Sequence, residues 1–156
     1  MDQLRRTFLK NAGIAGSLVV AIAAGLLKTG EAFAAAWNAN AFAAKKLDEA
    51  MSAAGYSGAV ESKDIDIKVP EIAENGAVVP VEVSSKIPGT SSLAIFADKN
   101  PTPLIATFEF QAGAEPYVVT RIKMGQTSMV RVVVTAGGKK FMASKEVKVT
   151  IGGCGG

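Results

Sequence analysis

The stretch Asp64-Ile65-Asp66-Ile67-Lys68-Val69 switches between polar and apolar at every step. Successive side chains of an extended chain point to opposite faces, so this alternation describes a strand with one face in a core and the other in water. The same period returns at Val79, Val81 and Val83, at Leu93, Ile95 and Ala97, and at Ala106, Phe108 and Phe110. It returns again at Val118, Thr120 and Ile122, at Val130, Val132 and Val134, and at Val147, Val149 and Ile151, the last set against Glu146, Lys148 and Thr150. Turn-forming pairs separate the segments: Asn75-Gly76, Pro88-Gly89, Asn100-Pro101, Ala112-Gly113, Gly125-Gln126 and Gly137-Gly138. This spacing predicts a mainly β fold, an immunoglobulin-like antiparallel β-sandwich over 61–151. An antibody-type domain would add two bridged cysteines around a buried Trp, whereas this chain has one cysteine, and its single Trp37 precedes the sandwich.

Ahead of the strands, Asn40 to Ala54 carries Phe42, Leu47 and Met51 on an alanine-rich background, with Gly55 just beyond. That pattern predicts one short amphipathic helix with a glycine stop inside an N-terminal helical segment at 35–60, and it demands nothing beyond packing.

The first 34 residues read as an export leader. A basic head, Arg5-Arg6-Thr7-Phe8-Leu9-Lys10, is followed by an apolar run from Ala12 to Leu27 and by small residues ending in Ala32-Phe33-Ala34. As a helix the apolar run would reach about 24 Å, short of a hydrocarbon core of about 30 Å, which favours cleavage over anchoring. Cleavage is expected after Ala34, with Ala36 as the next choice. The Arg5-Arg6 pair and the mild, Gly- and Ala-rich middle resemble a twin-arginine signal, which implies delivery of a folded protein to the periplasm.

Charge and inventory then exclude several functions. The chain has 17 basic and 14 acidic residues. The leader holds four of the basic and two of the acidic ones, which leaves 13 against 12, a net +1, and no basic field for nucleic acid or an anionic membrane. With no histidine, imidazole-based serine or cysteine catalysis and most zinc, copper and haem sites are ruled out. No Gly-rich segment leads through Lys-Ser or Lys-Thr into a helix, so no phosphate loop is present. Asp64 and Asp66 share a strand face and read as solvated charge, as do Lys139 and Lys140 at a Gly-Gly turn. No catalytic group, metal site or cofactor is expected. A folded export substrate without cofactor ligands is better explained by a co-exported partner subunit.

One residue still requires a reason. An unpaired thiol is a liability in an oxidising compartment, and the chain's only cysteine, Cys154, stands in the frame Gly152-Gly153-Cys154-Gly155-Gly156. Glycine packs no side chain and adopts φ of either sign, so this segment is expected to be a thin, flexible arm. Three residues beyond Ile151 reach about 10 Å, enough to carry a thiol into another protein's cleft. Cys154 is therefore the expected covalent attachment site, with Gly152, Gly153, Gly155 and Gly156 as its flexible arm. Lipidation fits poorly, because Gly153 occupies the place a prenylation box gives to cysteine.

The terminal Gly-Gly-Cys-Gly-Gly, the twin-arginine leader and the segment Ala73-Glu74-Asn75-Gly76-Ala77-Val78-Val79-Pro80-Val81 together resemble the SoxY family, the sulfur-carrier subunits of the periplasmic Sox thiosulfate-oxidation system. The resemblance implies a carrier rather than an enzyme, with Cys154 in the place of the family's carrier cysteine. It also implies a heterodimer with a SoxZ-like subunit, and transient visits to a Sox c-type cytochrome, a hydrolase and a sulfane dehydrogenase. Two readings of other classes stand beside it. The terminal Gly155-Gly156 could bear sulfur as a thiocarboxylate, as in ubiquitin-like carriers, although that chemistry needs ATP. Alternatively, the sandwich could be a structural module joined to a second chain by a Cys154 disulfide.

Overall fold

The computed structural model describes residues 37–150. The expected arm at 152–156, Ile151 and the leader with Arg5 and Arg6 lie outside the described residues.

Two helices, α1 (Ala39–Ala43) and α2 (Leu47–Ala53), precede nine strands: β1 (Val60–Glu61), β2 (Ile65–Lys68), β3 (Ile72–Ala73), β4 (Val79–Ser85), β5 (Thr90–Ala97), β6 (Leu104–Glu109), β7 (Tyr117–Ile122), β8 (Ser128–Ala136) and β9 (Lys139–Val149). Each of the seven alternating segments falls on one of the longer strands, so the fold is the immunoglobulin-like β-sandwich that the alternation predicts. The larger sheet runs β1-β9-β8-β5-β6 and the smaller β2-β4-β7. The longer strands pair antiparallel, while β1 and β3 each lie parallel to opposite ends of β9. These two-residue strands are too short to show an alternating pattern, and the sequence gives no sign of them.

The core lies between the sheets, where Ile65 and Ile67 of β2 and Val79, Val81 and Val83 of β4 meet Leu93, Ile95, Val130, Val132 and Val134 of the larger sheet. At about 25 cal/mol per Å² of apolar surface removed from water, each such Val, Leu or Ile contributes about 1.5–3 kcal/mol before entropy is counted. Asp66 and Lys68, on the opposite face of β2, are exposed, as is Asp64 just before it. The alternation in β6 is interrupted. One extra residue, Ile105, bulges between the Ile95–Ala106 and Phe96–Leu104 pairs, and it packs on the core beside Phe108 and Phe110.

The single helix expected over 40–54 is two. Ala44 leaves the helical region with ψ 139°, and α2 begins three residues later. Ala41 and Ala50 are nine residues apart, about half a turn out of phase on one straight helix, yet both are fully buried in a cluster with Ala94, Phe96, Leu104 and Val133. Breaking the helix turns both alanines onto the outer face of the larger sheet. Asn38 joins the pieces: its side chain accepts from Ala41 N–H at 3.1 Å and donates to the Ala53 carbonyl at 2.8 Å. The stop at Gly55 forms where it was expected. Gly55 takes φ +75°, its N–H reaches the Ser52 carbonyl, and Tyr56 N–H reaches that of Met51, closing a Schellman motif. Trp37 lies outside the sandwich, 71 % exposed and stacked on Phe42 at 4.2 Å.

Candidate functional site

Cys154 and its four glycines lie outside the described residues, so the site is built from the pole where the chain leaves the sandwich. β9 reaches this pole at Val149, and the loops β3–β4, β5–β6 and β7–β8 converge on it.

The exit is clamped from both sides. Val149 N–H donates to Thr127 Oγ1 at 3.0 Å. Thr150 N–H donates to the Ala73 carbonyl at 3.1 Å, and its hydroxyl donates to the Glu74 carbonyl at 3.0 Å. The Ala73–Val81 segment, singled out in the sequence only for its resemblance, thus holds the last described residue of the chain.

The loops are fastened to one another in turn. Asn100 donates from Nδ2 to the Lys123 carbonyl at 2.7 Å and accepts Gly125 N–H on Oδ1 at 3.1 Å, so one amide spans the β5–β6 and β7–β8 loops. Met124 N–H reaches the Gly76 carbonyl at 2.7 Å, tying in the β3–β4 loop. Ser128 is buried and satisfied, its hydroxyl accepting Lys99 N–H at 3.0 Å and donating to the Met129 carbonyl at 3.1 Å. Just below, Arg131 grips Asp98 through two bonds of 2.9 and 3.3 Å, with the side chains only 20 % and 17 % exposed. A planar guanidinium on a carboxylate fixes orientation as well as distance. Sequence reasoning missed both Asn100 and the Asp98–Arg131 pair. Asn100 was visible only as half of an Asn-Pro turn, and the partners of the ion pair stand 33 positions apart with no local pattern to connect them.

The exposed charges around this pole are Lys99, Lys123 and Lys148, with Glu71 and Glu74 opposing them. Among the described residues no three His, Cys, Asp or Glu side chains gather as a metal site. No buried side-chain nitrogen or oxygen among them lacks a hydrogen-bond partner. One groove, of about 460 Å³, lies at the opposite pole between the β4–β5 turn and the β6–β7 loop. Its polar centre is a Ser85–Thr90 hydroxyl pair at 2.8 Å, already used to hold the turn through the Ile87 carbonyl. What the described residues offer chemically is a rigid mount for the segment that follows Thr150.

A family model described as "Sulfur oxidation protein SoxY" matches residues 51–154, two thirds of the chain, and its match ends on Cys154. The chain belongs to the SoxY family. Among solved structures, the sulfur carrier protein SoxY from Chlorobium limicola f thiosulfatophilum is 47 % identical, covering 70 % of this chain and 96 % of that one at a TM-score of 0.62. A superoxide reductase (neelaredoxin) from Ignicoccus hospitalis is 19 % identical, covering 67 % and 92 % at a TM-score of 0.49, a likeness too loose to bear on function. No curated protein matches. Within the SoxY match, the clamped strand end and the Ala73–Val81 segment are structural neighbours.

Proposed function

We propose that this SoxY-family protein is a periplasmic sulfur carrier that binds thiosulfate-derived intermediates covalently through Cys154 and presents them to Sox enzymes. The observation that supports it most is the family match running to Cys154, a cysteine framed by glycines and following directly on a strand end held by Thr127, Ala73 and Glu74.

The chemistry divides between thiol and partners. Joining thiosulfate to the thiol forms an S–S bond and releases one proton and two electrons, which a c-type cytochrome accepts. Hydrolysis of the terminal sulfonate then frees sulfate and leaves a persulfide on Cys154. A sulfane dehydrogenase oxidises that outer sulfur to a sulfonate with oxygen from water, releasing protons and passing the electrons to an external cytochrome-class acceptor, and a second hydrolysis frees that group as sulfate and restores the thiol. The carrier supplies attachment and reach, while each enzyme supplies the charge or metal that activates its step. Export by the twin-arginine route, with Arg5 and Arg6 as its signal, and assembly with a SoxZ-like subunit before crossing belong to the same reading.

The test replaces Cys154 by Ser and Gly152-Gly153 by proline in separate proteins. Cys154→Ser is expected to remain folded and exported and to lose all thiosulfate-dependent electron transfer to the cytochrome. The proline variant is expected to keep a thiol open to small alkylating reagents while turning over more slowly with the enzymes that must enclose the arm. Full turnover by Cys154→Ser would overturn the reading.

A further inference from the structure

The regular pairing of β9 stops short of its last described neighbours. On one side the β8 register ends at the Ser128–Val147 pair, and on the other the β3 register ends at the Ala73–Val149 pair. Two threonine hydroxyls carry the hold further. Thr127 Oγ1 accepts Val149 N–H at 3.0 Å, filling the role that a carbonyl of β8 would fill if that strand ran on. Thr150 Oγ1 donates to the Glu74 carbonyl at 3.0 Å, beside the main-chain bond from Thr150 N–H to the Ala73 carbonyl at 3.1 Å.

Neither hydroxyl serves the core. Thr150 is exposed, Thr127 is half-buried, and neither joins an apolar cluster. Valine has nearly the same branched shape, so packing gives no reason for a hydroxyl at either place. The groups on which the two threonines act are held in turn. Thr127 lies in the β7–β8 loop, where Asn100 accepts Gly125 N–H, and Glu74 lies in the β3–β4 loop, where the Gly76 carbonyl accepts Met124 N–H. The two loops are braced against each other, and Val149 and Thr150 are pinned from both.

We infer that Thr127 and Thr150 are positioning residues for Cys154: their hydroxyls fix the point at which the chain leaves the sandwich and so narrow the volume in which the thiol lies. The purpose of such a device rests on the carrier reading. Cys154 stands four positions beyond Thr150. Without the two hydroxyls, the Thr150–Ala73 bond is left alone at a chain end, where strands fray. The next hold is then the bond from Lys148 N–H to the Glu71 carbonyl at 2.9 Å, six positions before Cys154. The effective concentration of a tethered group falls with about the −3/2 power of tether length, so the thiol is diluted about twofold at any cleft it must enter. Loss of one such hydrogen bond also favours opening of the strand end by about two- to tenfold.

The chain's single Trp and single Cys supply the probe. Trp37 is stacked on Phe42, so energy transfer from Trp37 to a dansyl group on Cys154 reads the position of the thiol against the folded domain. Time-resolved transfer on the chain as exported compares the natural protein with a valine pair, Thr127→Val and Thr150→Val, and a serine pair, Thr127→Ser and Thr150→Ser. The valine pair is expected to broaden the distance distribution and to speed amide exchange at Val149 and Thr150 about two- to tenfold. Its melting temperature, and the alkylation of undansylated Cys154 by iodoacetamide, are expected to stay unchanged. The serine pair keeps both hydroxyls and is expected to restore the natural width. With a Sox hydrolase acting on the Cys154 thiosulfonate, kcat/KM for the valine pair is expected to fall about twofold. Energy transfer involves no sulfur chemistry, so its outcome is separate from the turnover of Cys154→Ser, which tests the carrier reading. A valine pair as narrow as the natural protein, a serine pair as broad as the valine pair, or broadening seen only with a fallen melting temperature would each overturn the proposal.

Discussion

The larger sheet is covered on both faces and the smaller on one, and that difference divides the labour of the molecule. In the larger sheet, Leu93, Ile95 and Ala97 face the core while Ala94, Phe96 and Val133 are sealed beneath the helices. In the smaller sheet, the face opposite the core carries Lys68, Glu82, Tyr117, Val119 and Arg121, open or half-open to water. The covered sheet supplies β9, whose end fixes where the C-terminal segment begins. The open sheet helps to hold that pole through the loops that enter β4 and leave β7, while its outer face stays open to water.

The sharpest way to break this contrast is to remove packing under the helices. Phe96 is fully buried and meets Tyr56 edge-on with ring centres 6.2 Å apart. Phe96→Ala is expected to destabilise the fold by about 3–5 kcal/mol, read by chemical denaturation, through lost burial and the cavity left behind. A smaller but cleaner comparison uses the same residue type on the two outer faces. Val133→Ala should cost about 2 kcal/mol, because Val133 is fully buried, whereas Val119→Ala should change stability by no more than about 0.5 kcal/mol. Equal losses at the two positions would erase the distinction between covered and open sheet.

Leu93, Ile95 and Ala97, and Val130, Val132 and Val134, read in the sequence as one-sided alternation, but the intervening Ala94, Phe96 and Val133 are apolar and fully buried, so these two strands are covered on both faces. A strand facing water on one side alternates, and a run without alternation marks a strand covered on both sides. Alternation was enough to place each long strand in the sandwich, and it read correctly at Asp64 and Asp66 as solvated charge. It could not show what covered the outer face, because the half-turn phase difference between Ala41 and Ala50 means something only once the helix is known to break at Ala44. At the exit pole the legible part was local: glycines, a cysteine and turn pairs. The clamp was illegible, because Asn100, Thr127 and Thr150 act on main-chain groups 22 to 76 positions away. Such bonds leave no periodic trace.

Below these packing effects comes the ion pair that stiffens the pole. Asp98→Ala leaves Arg131 shielded from water with the Met142 sulfur at 3.6 Å as a poor substitute, and is expected to cost about 1–2 kcal/mol. Hydrogen exchange at Lys99 and Gly125 should rise in the same variant. The smallest effect belongs to the open sheet. The Glu82 carboxylate beside Lys68 hydrogen-bonds the ammonium and holds its pKa above the usual lysine value. A raised pKa favours the charged form, so any contribution to stability is present at neutral pH and fades as pH climbs through the raised value. Lys68 is open to water, where screening leaves little to lose, so Glu82→Gln is expected to lower the Lys68 titration seen by NMR while leaving the melting temperature unchanged.

The measurement that bears most directly on the carrier reading is peptide mass spectrometry of the protein taken from cells oxidising thiosulfate. The account predicts sulfane and sulfonate additions on the C-terminal peptide, localised by fragmentation to Cys154 and absent from Cys154→Ser. Added sulfur on the Gly156 carboxyl, or a Cys154 found only as free thiol or as a chain-to-chain disulfide during active turnover, would contradict it.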